Sequence, residues 1–443
     1  MTTPAPITHR RILNIAVPIV ISNATVPILG AVDTGVVGQM GLAAPIGAVG
    51  IGAIILTSIY WIFGFLRMGT VGLAGQALGE GDGPELDAIL SRALLVGIAA
   101  GLGLFILQVP LFWAALQLAP ASAEVEGLAW QYLQIRIFSA PAAICMYGIT
   151  GWLIAQERTR AVLVIQLWTN GVNIALDFWF VLGLGWGVGG VAFATVIAEW
   201  SGLIVGLLFC AQVFRRVAWR DWVRVSDRAR LVRMFSVGRD ILIRSVLLMA
   251  GFTSFTFLGA SFGDVTLAAN EILIQFLYIT AYAMDGFAFA AEALVAQTLG
   301  ARRPDLLRRA SVMTSIWGYI IAAALAVTFA LFGGLLIDLM TTSETVRDEA
   351  RTYLPWMVAA PLIGAPAWML DGIFIGATRA RDMRNMMVVS FGIYCVALIA
   401  LMPSLENHGL WAAQIIFFAA RGVTLFWKYP GIERDAAGTH APT

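Results

Sequence analysis

Leu73-Ala74-Gly75-Gln76-Ala77-Leu78-Gly79 returns as Leu294-Val295-Ala296-Gln297-Thr298-Leu299-Gly300, an offset of 221 residues (73 to 294). The same offset carries Ala129, Tyr132, Leu133, Gly151, Ile154, Arg158 and Arg160 onto Ala350, Tyr353, Leu354, Gly372, Ile375, Arg379 and Arg381. One constant shift that serves two distant regions marks an internal duplication. In a very apolar chain, duplication points to a membrane scaffold with its functional site between the repeats.

Composition agrees. Of 443 residues, 59% are hydrophobic and 12% charged, and the mean hydropathy is +0.83. A water-facing domain carries about 25% charged residues, so this chain belongs in a bilayer. The net charge of +1 singles out no partner. Cys145, Cys210 and Cys395 sit in apolar runs without CxxC spacing and read as packing residues. His9, His408 and His440 fall in termini or a loop, and no HExxH pattern exists, so no metal site is expected.

Crossing the hydrocarbon core takes about 20 apolar residues in a helix. Twelve runs qualify: 12–37, 47–77, 90–113, 127–154, 161–183, 188–212, 236–261, 268–299, 310–338, 350–377, 385–403 and 408–427. The predicted fold is therefore an all-α integral membrane protein with twelve transmembrane helices in two six-helix, pseudo-twofold related lobes. The lobes are 1–212 and 236–443, joined by a basic linker, 213–235. Arginine placement sets the orientation. With both termini on one side, only Arg347 and Arg351 fall in the opposite loops. Both termini are thus expected in the cytoplasm, with the chain in the inner (plasma) membrane. The linker holds Arg215, Arg216, Arg220, Arg224, Arg228, Arg230 and Arg233 around Trp219 and Trp222. It reads as an amphipathic helix on anionic lipid rather than a nucleic-acid surface.

An ionisable residue at mid-membrane costs about 2.5–3.5 kcal/mol, so each is a functional candidate. Asp33 in the first span and Asn173 and Asp177 in the fifth form one group. Gln166, Asn170, Asn173 and Asp177 follow steps of 4, 3 and 4 residues and share a helix face. That stripe cannot face lipid. Burial disfavours a charged carboxyl and two close carboxyls repel, so such a pair is suited to carrying a proton. A second group follows alternating steps of 4 and 3 along the eighth span: Glu271, Gln275, Tyr278, Tyr282, Asp285, Phe289 and Glu292. With Asp371 of the tenth span, these line an expected cavity for a substrate or a second ion, and an acidic, tyrosine-bearing face suits cationic amphiphiles. The competing reading is structural: these acids pair with intramembrane Arg67, Arg136 or Arg244, as does Glu199. Pro18 and Pro27 each remove a backbone donor from the first span.

Several segments carry a resemblance in their order and spacing. They are Ala16-Val17-Pro18-Ile19, Val32-Asp33-Thr34, Gly69 to Gly79, and Asn173-Ile174-Ala175-Leu176-Asp177. Gly238-Arg239-Asp240-Ile241-Leu242-Ile243-Arg244, Ala281-Tyr282-Ala283-Met284-Asp285-Gly286-Phe287-Ala288 and Gly376-Ala377-Thr378-Arg379 follow. Over nearly its whole length the chain resembles the multidrug and toxic compound extrusion (MATE) family, DinF-like branch. The resemblance implies two lobes around a central cavity, alternating access, and export of small amphipathic or cationic molecules driven by inward H⁺ or Na⁺. It implies an ion-coupling site at Asp33, Tyr132, Asn173, Asp177 and Thr195, with Pro18 as the kinking hinge. Leu29 stands where some relatives carry tyrosine, and the second acidic site of NorM-like relatives is matched only at Asp371. No cofactor is expected beyond the coupling ion: H⁺ is preferred, and Na⁺ at Asp33 and Asp177 is the alternative. The working unit is expected to be a monomer.

The rival function is a flippase for a lipid-linked precursor, which needs a cationic cavity for phosphates. A membrane-embedded transferase needs a histidine or paired carboxylates at headgroup level, and no histidine lies inside a span, His408 standing only at the first residue of the last one. A channel suits a symmetric pore better than two rocking lobes.

Overall fold

The structure, a computed structural model, describes residues 6–39, 43–118 and 121–438; His440 lies outside them. In chain order the α-helices are α1 His9–Gly38, α2 Ala43–Ile62, α3 Gly64–Glu80, α4 Gly83–Ile106, α5 Gln108–Leu118, α6 Ala123–Arg136, α7 Ala140–Ala155 and α8 Thr159–Asp177. They continue as α9 Gly187–Phe209, α10 Ala211–Phe214, α11 Trp222–Val225, α12 Arg228–Gly259, α13 Asp264–Gly300, α14 Pro304–Met340, α15 Glu344–Gly376 and α16 Ala380–Ala436. Among the described residues, 11 helical stretches are long and apolar enough to cross a membrane. The longest, α16, is broken at Glu406 (φ 51°, ψ −128°), three residues after Pro403. That break separates the predicted spans 385–403 and 408–427, so α16 supplies two passes. The protein is a multi-pass, all-α membrane protein.

Two compact units emerge. One gathers the chain up to Val20, Gly75–Gly81 and everything from Arg233 onward; the other gathers Ile21–Ala74 and Asp82–Val232. The division falls inside α1, two residues after Pro18, and inside α3.

The duplication is visible in the backbone. Helices α3, α7, α13 and α15 each end at a residue with positive φ: Gly81 (78°), Glu157 (61°), Arg302 (52°) and Thr378 (54°). Gly81 and Arg302 are one repeat apart, as are Glu157 and Thr378. The amide after three of these residues bonds back five positions: Arg158 N to Leu153 O (2.9 Å), Arg303 N to Thr298 O (3.1 Å) and Arg379 N to Phe374 O (3.1 Å). This is the Schellman helix end, which satisfies orphan carbonyls and turns the chain sharply into the next helix. The start of α4 adds a side-chain cap, with Asp82 Oδ1 accepting from Glu85 N at 3.0 Å.

Close helix crossings repeat too. Gly151 of α7 lies so near Arg67 O that an added Cβ would stand 2.5 Å from it; Gly372 of α15 stands in the same relation to Ala288 O. Both partners are one offset apart. Between helices in lipid, association rests on such close packing of small residues, because burial of apolar surface gains little.

The segment between α9 and α12 is not the single amphipathic helix that its arginine spacing suggests. Asp221 caps Arg224 N (3.3 Å) and Asp227 caps Arg230 N (3.0 Å), so two aspartates start new helices within ten residues. What remains are short turns fastened to α4. Ser91 Oγ donates to Trp219 O (2.8 Å), Arg92 donates to Arg224 O and Val225 O (2.8 and 3.1 Å), and Arg216 pairs with Asp87 (3.3 Å).

Candidate functional site

In the unit formed by Ile21–Ala74 and Asp82–Val232, the spacing that puts Gln166, Asn170, Asn173 and Asp177 on one face of α8 is realised. Gln166 Nε2 donates to Asn170 Oδ1 (3.0 Å), and Asn170 Nδ2 donates to Thr25 Oγ1 on α1 (2.9 Å). Asn173 Nδ2 donates to Thr195 Oγ1 on α9 (3.1 Å). Asp177 is the last residue of α8. Beyond it the chain widens into a π-helical turn, Phe178–Gly183. Such turns are rare and concentrate at functional positions.

Asp177 is fully buried, and its carboxyl lies within hydrogen-bonding reach of Asp33. Among the described residues no donor reaches either Asp177 oxygen or Asp33 Oδ1. Ionised carboxylates only accept hydrogen bonds, whereas a carboxyl and a carboxylate can share one. A proton held by the pair therefore supplies the donor that the surroundings lack. Asn173 Oδ1 is also buried without a donor.

Tyr132 of α6 is buried against Gly52 of α2, where a Cβ would collide with its ring. Its hydroxyl is within reach of Arg136, one turn on. Arg136 forms a two-pronged pair with Glu199 of α9, both bonds at 3.1 Å, and donates to Ser139 Oγ at 2.6 Å. Its backbone carbonyl accepts from the Tyr60 hydroxyl at 3.4 Å. The positive charge of Arg136 acts on Asp33, while Glu199 balances it. The structure thus brings Asp33, Asp177, Asn173, Thr195 and Tyr132 into one neighbourhood and adds Tyr60 and Thr25. Sequence reasoning missed those two because neither lies on a polar stripe of its own helix.

The ion pair yields an expected result. Glu199→Gln leaves a buried guanidinium without its counter-charge. Breaking one side of a buried pair costs about 3–5 kcal/mol; with Glu199 partly exposed (20%) the loss should sit near 3 kcal/mol. Thermal melting of the purified variant in detergent measures it, and a midpoint equal to the wild type refutes it.

In the other unit, Glu271, Gln275, Tyr278, Tyr282, Asp285 and Glu292 all lie on α13. Gln275 and Tyr278 are exposed, Glu271, Tyr282 and Asp285 are half-buried, and Glu292 is buried. Tyr282 feels the charge of Asp285, and Tyr278 that of Glu271. Asp371 of α15 makes the arginine pairing that the competing reading expects: its Oδ2 is held by Arg244 of α12 and by Arg421 of α16, the latter at 2.6 Å. Sequence reasoning missed Arg421 as a site residue. Pro18 is buried, and α1 beside it packs on α13, where an added Cβ at Gly286 would stand 2.7 Å from Ala16 O.

Known proteins share this architecture and sequence. The profile of the MatE family matches residues 18–179 and again 241–400, once in each half. "DNA damage-inducible protein F" of Escherichia coli is 37% identical over 418 residues, covering 94% of this chain and 91% of that protein. "Probable multidrug resistance protein NorM" of Rhizobium meliloti is 23% identical over 96% of this chain and 93% of its own length. Among solved structures, the Vibrio cholerae MATE transporter VcmN in its bent form superposes with a TM-score of 0.88 at 18% identity, covering 98% of both chains. With the family profile spanning both halves and a relative of this identity aligned almost end to end, the chain belongs to the MATE family of membrane transporters, in its DinF-like branch.

Proposed function

We propose that the chain is a proton-coupled antiporter that exports small amphipathic or cationic molecules by alternating access. One observation carries the coupling: buried Asp177 lies against half-buried Asp33, and among the described residues no donor reaches Asp33 Oδ1 or either Asp177 oxygen. A proton entering from outside removes one of the pair's two negative charges and is shared between the carboxyls, and its loss to the cytoplasm restores that charge. Protonation drives a change of state only if it is bound with different affinity in the two states. Pro18, two residues from the division of α1, supplies the weakened point at which such a change bends the helix. The name of the Rhizobium meliloti relative supports multidrug substrates, and the acidic, tyrosine-bearing face of α13 suits cations among them. The arginine distribution supports cytoplasmic termini in the inner membrane.

The energetics suffice. One charge crossing 100 mV releases about 2.3 kcal/mol, and a hundredfold substrate gradient costs about 2.8 kcal/mol. Exchange of one proton for one monovalent cation moves no net charge, so the electrical gain needs a second proton; two protons, with a tenfold proton gradient adding about 1.4 kcal/mol for each, meet that demand. Proteoliposomes holding ethidium as a cationic reporter, with pH and Na⁺ gradients imposed one at a time, test the coupling. Export is expected under the pH gradient and absent under Na⁺ alone. Export driven only by Na⁺ overturns the proton reading.

A further inference from the structure

The cluster at Asp371 holds two cations and one anion. Arg244, Arg421 and Asp371 come from α12, α16 and α15, and their side chains are 7%, 3% and 9% exposed. Both guanidiniums bind the same oxygen, Asp371 Oδ2. The Nε of each arginine is buried and has no acceptor among the described residues. Arg421 also stands over the Phe417 ring, 5.7 Å from its centre. Two turns before Arg421 on α16 lies Gln414, buried, with neither amide atom partnered among the described residues. Residues seven apart share a helix face.

A structural role does not account for this set. One arginine on Asp371 makes a neutral pair. The second adds an uncompensated buried charge, which low dielectric penalises heavily. Unused donors beside an excess positive charge are complementary to an oxyanion, and a guanidinium fork matches a carboxylate or phosphate through paired N–H groups.

We propose that Arg244 and Arg421 form an oxyanion-binding subsite, with Asp371 as the resident counter-ion and Gln414 as a further polar contact. Its ligand is the carboxylate or phosphate of an amphiphile, either a soluble acid or a lipid headgroup. The subsite extends the substrate class beyond cations to acidic and zwitterionic amphiphiles. It rests on the transporter reading and is independent of the coupling ion.

The test uses the full chain in phosphatidylcholine nanodiscs, with dodecanoate as the acid probe and dodecyltrimethylammonium as the cation probe. Dodecanoate should bind saturably, and Arg421→Gln should weaken it at least about tenfold without changing cation binding. Arg421→Gln leaves the neutral Arg244–Asp371 pair, so its melting temperature should match or exceed the wild type. Asp371→Asn removes the competing carboxylate and should tighten dodecanoate binding. Retention of phosphatidylglycerol, compared between wild type and Arg421→Gln by native mass spectrometry, identifies a lipid headgroup as the source. If dodecanoate and phosphatidylglycerol each behave alike in the two proteins, the subsite does not exist. The wild type alone also decides: if neither dodecanoate nor phosphatidylglycerol binds it saturably, the proposal fails, whatever the variants do. Export of the cation with no such binding sinks only the subsite. Arginine-dependent dodecanoate binding without export of any probe sinks the efflux reading and leaves the subsite standing.

Discussion

Asp177→Asn is expected to abolish uphill export while leaving the protein folded. Asparagine has the shape of aspartate but carries no titrating proton. Its amide can donate to Asp33 Oδ1, which lacks a donor in the structure. The amide thus takes the place of the shared proton, keeping a hydrogen bond worth about 1.5–3 kcal/mol when the acceptor is charged, and the site no longer buries a second charge when a proton leaves. The melting temperature should stay level or rise. Transport should fall by at least about tenfold, to the rate of passive exchange, because the pair can no longer cycle a proton. Asp33→Asn should act in the same direction. The readout is substrate export from proteoliposomes under an imposed pH gradient, with thermal melting run in parallel. Undiminished export in either variant would falsify the coupling proposal.

Gly300→Val should be the most damaging single substitution in α13. At the ends of α3 and α13, each helix carries a glycine that receives the other's backbone. An added Cβ at Gly300 would fall on Gln76 O, with Gln76 Cα 2.8 Å away; one at Gly79 would fall on Gln297 O, with Ala301 N also 2.8 Å away. Gln76 and Gln297 are one repeat apart, and so are Gly79 and Gly300. The contact is therefore isologous, like the interface of a twofold dimer. The glutamines are clasped reciprocally as well. Arg233, at the start of the second repeat, donates to Gln76 Oε1 (3.0 Å), and Arg11, near the start of the first, donates to Gln297 Oε1 (2.9 Å). Backbone fills the space, so a new side chain cannot be accommodated by a rotamer change and the helices must part. Overpacking of this kind costs about 1–3 kcal/mol, and valine lies at the upper end. Melting temperature and the labelling rate of a cysteine placed at Ala301 report the loss. An unchanged melting temperature together with unchanged labelling rules out a tight crossing here.

The repeat that was legible from Gln76, Gly79, Gln297 and Gly300 has its explanation in this crossing. Those positions match because each copy supplies half of one self-complementary contact. Gly151 and Gly372 match for the same reason, each admitting a backbone carbonyl. Positions without such a constraint diverged. Asp33 corresponds in sequence to Ser254 one repeat on, and Asp177 to Leu398. The polar stripe of α8 was also legible, because helical periodicity alone puts Gln166, Asn170, Asn173 and Asp177 on one side. Helix spacing gave no access to Thr25, Tyr60 or Arg421. Each lies on a different helix from its partner, and their contacts depend on how helices distant in sequence are brought together.

From the sequence by itself came the bilayer as solvent, the duplicated helical scaffold, the spans and the polar face of α8. These follow from composition and periodicity, which act through a few residues at a time. The tertiary structure decided which charges meet. It set Asp177 against Asp33 without a donor, gave Glu199 to Arg136, and placed two arginines on Asp371. In a low-dielectric interior the role of an ionisable group depends on its neighbours within a few ångströms. Those neighbours are chosen by helix packing.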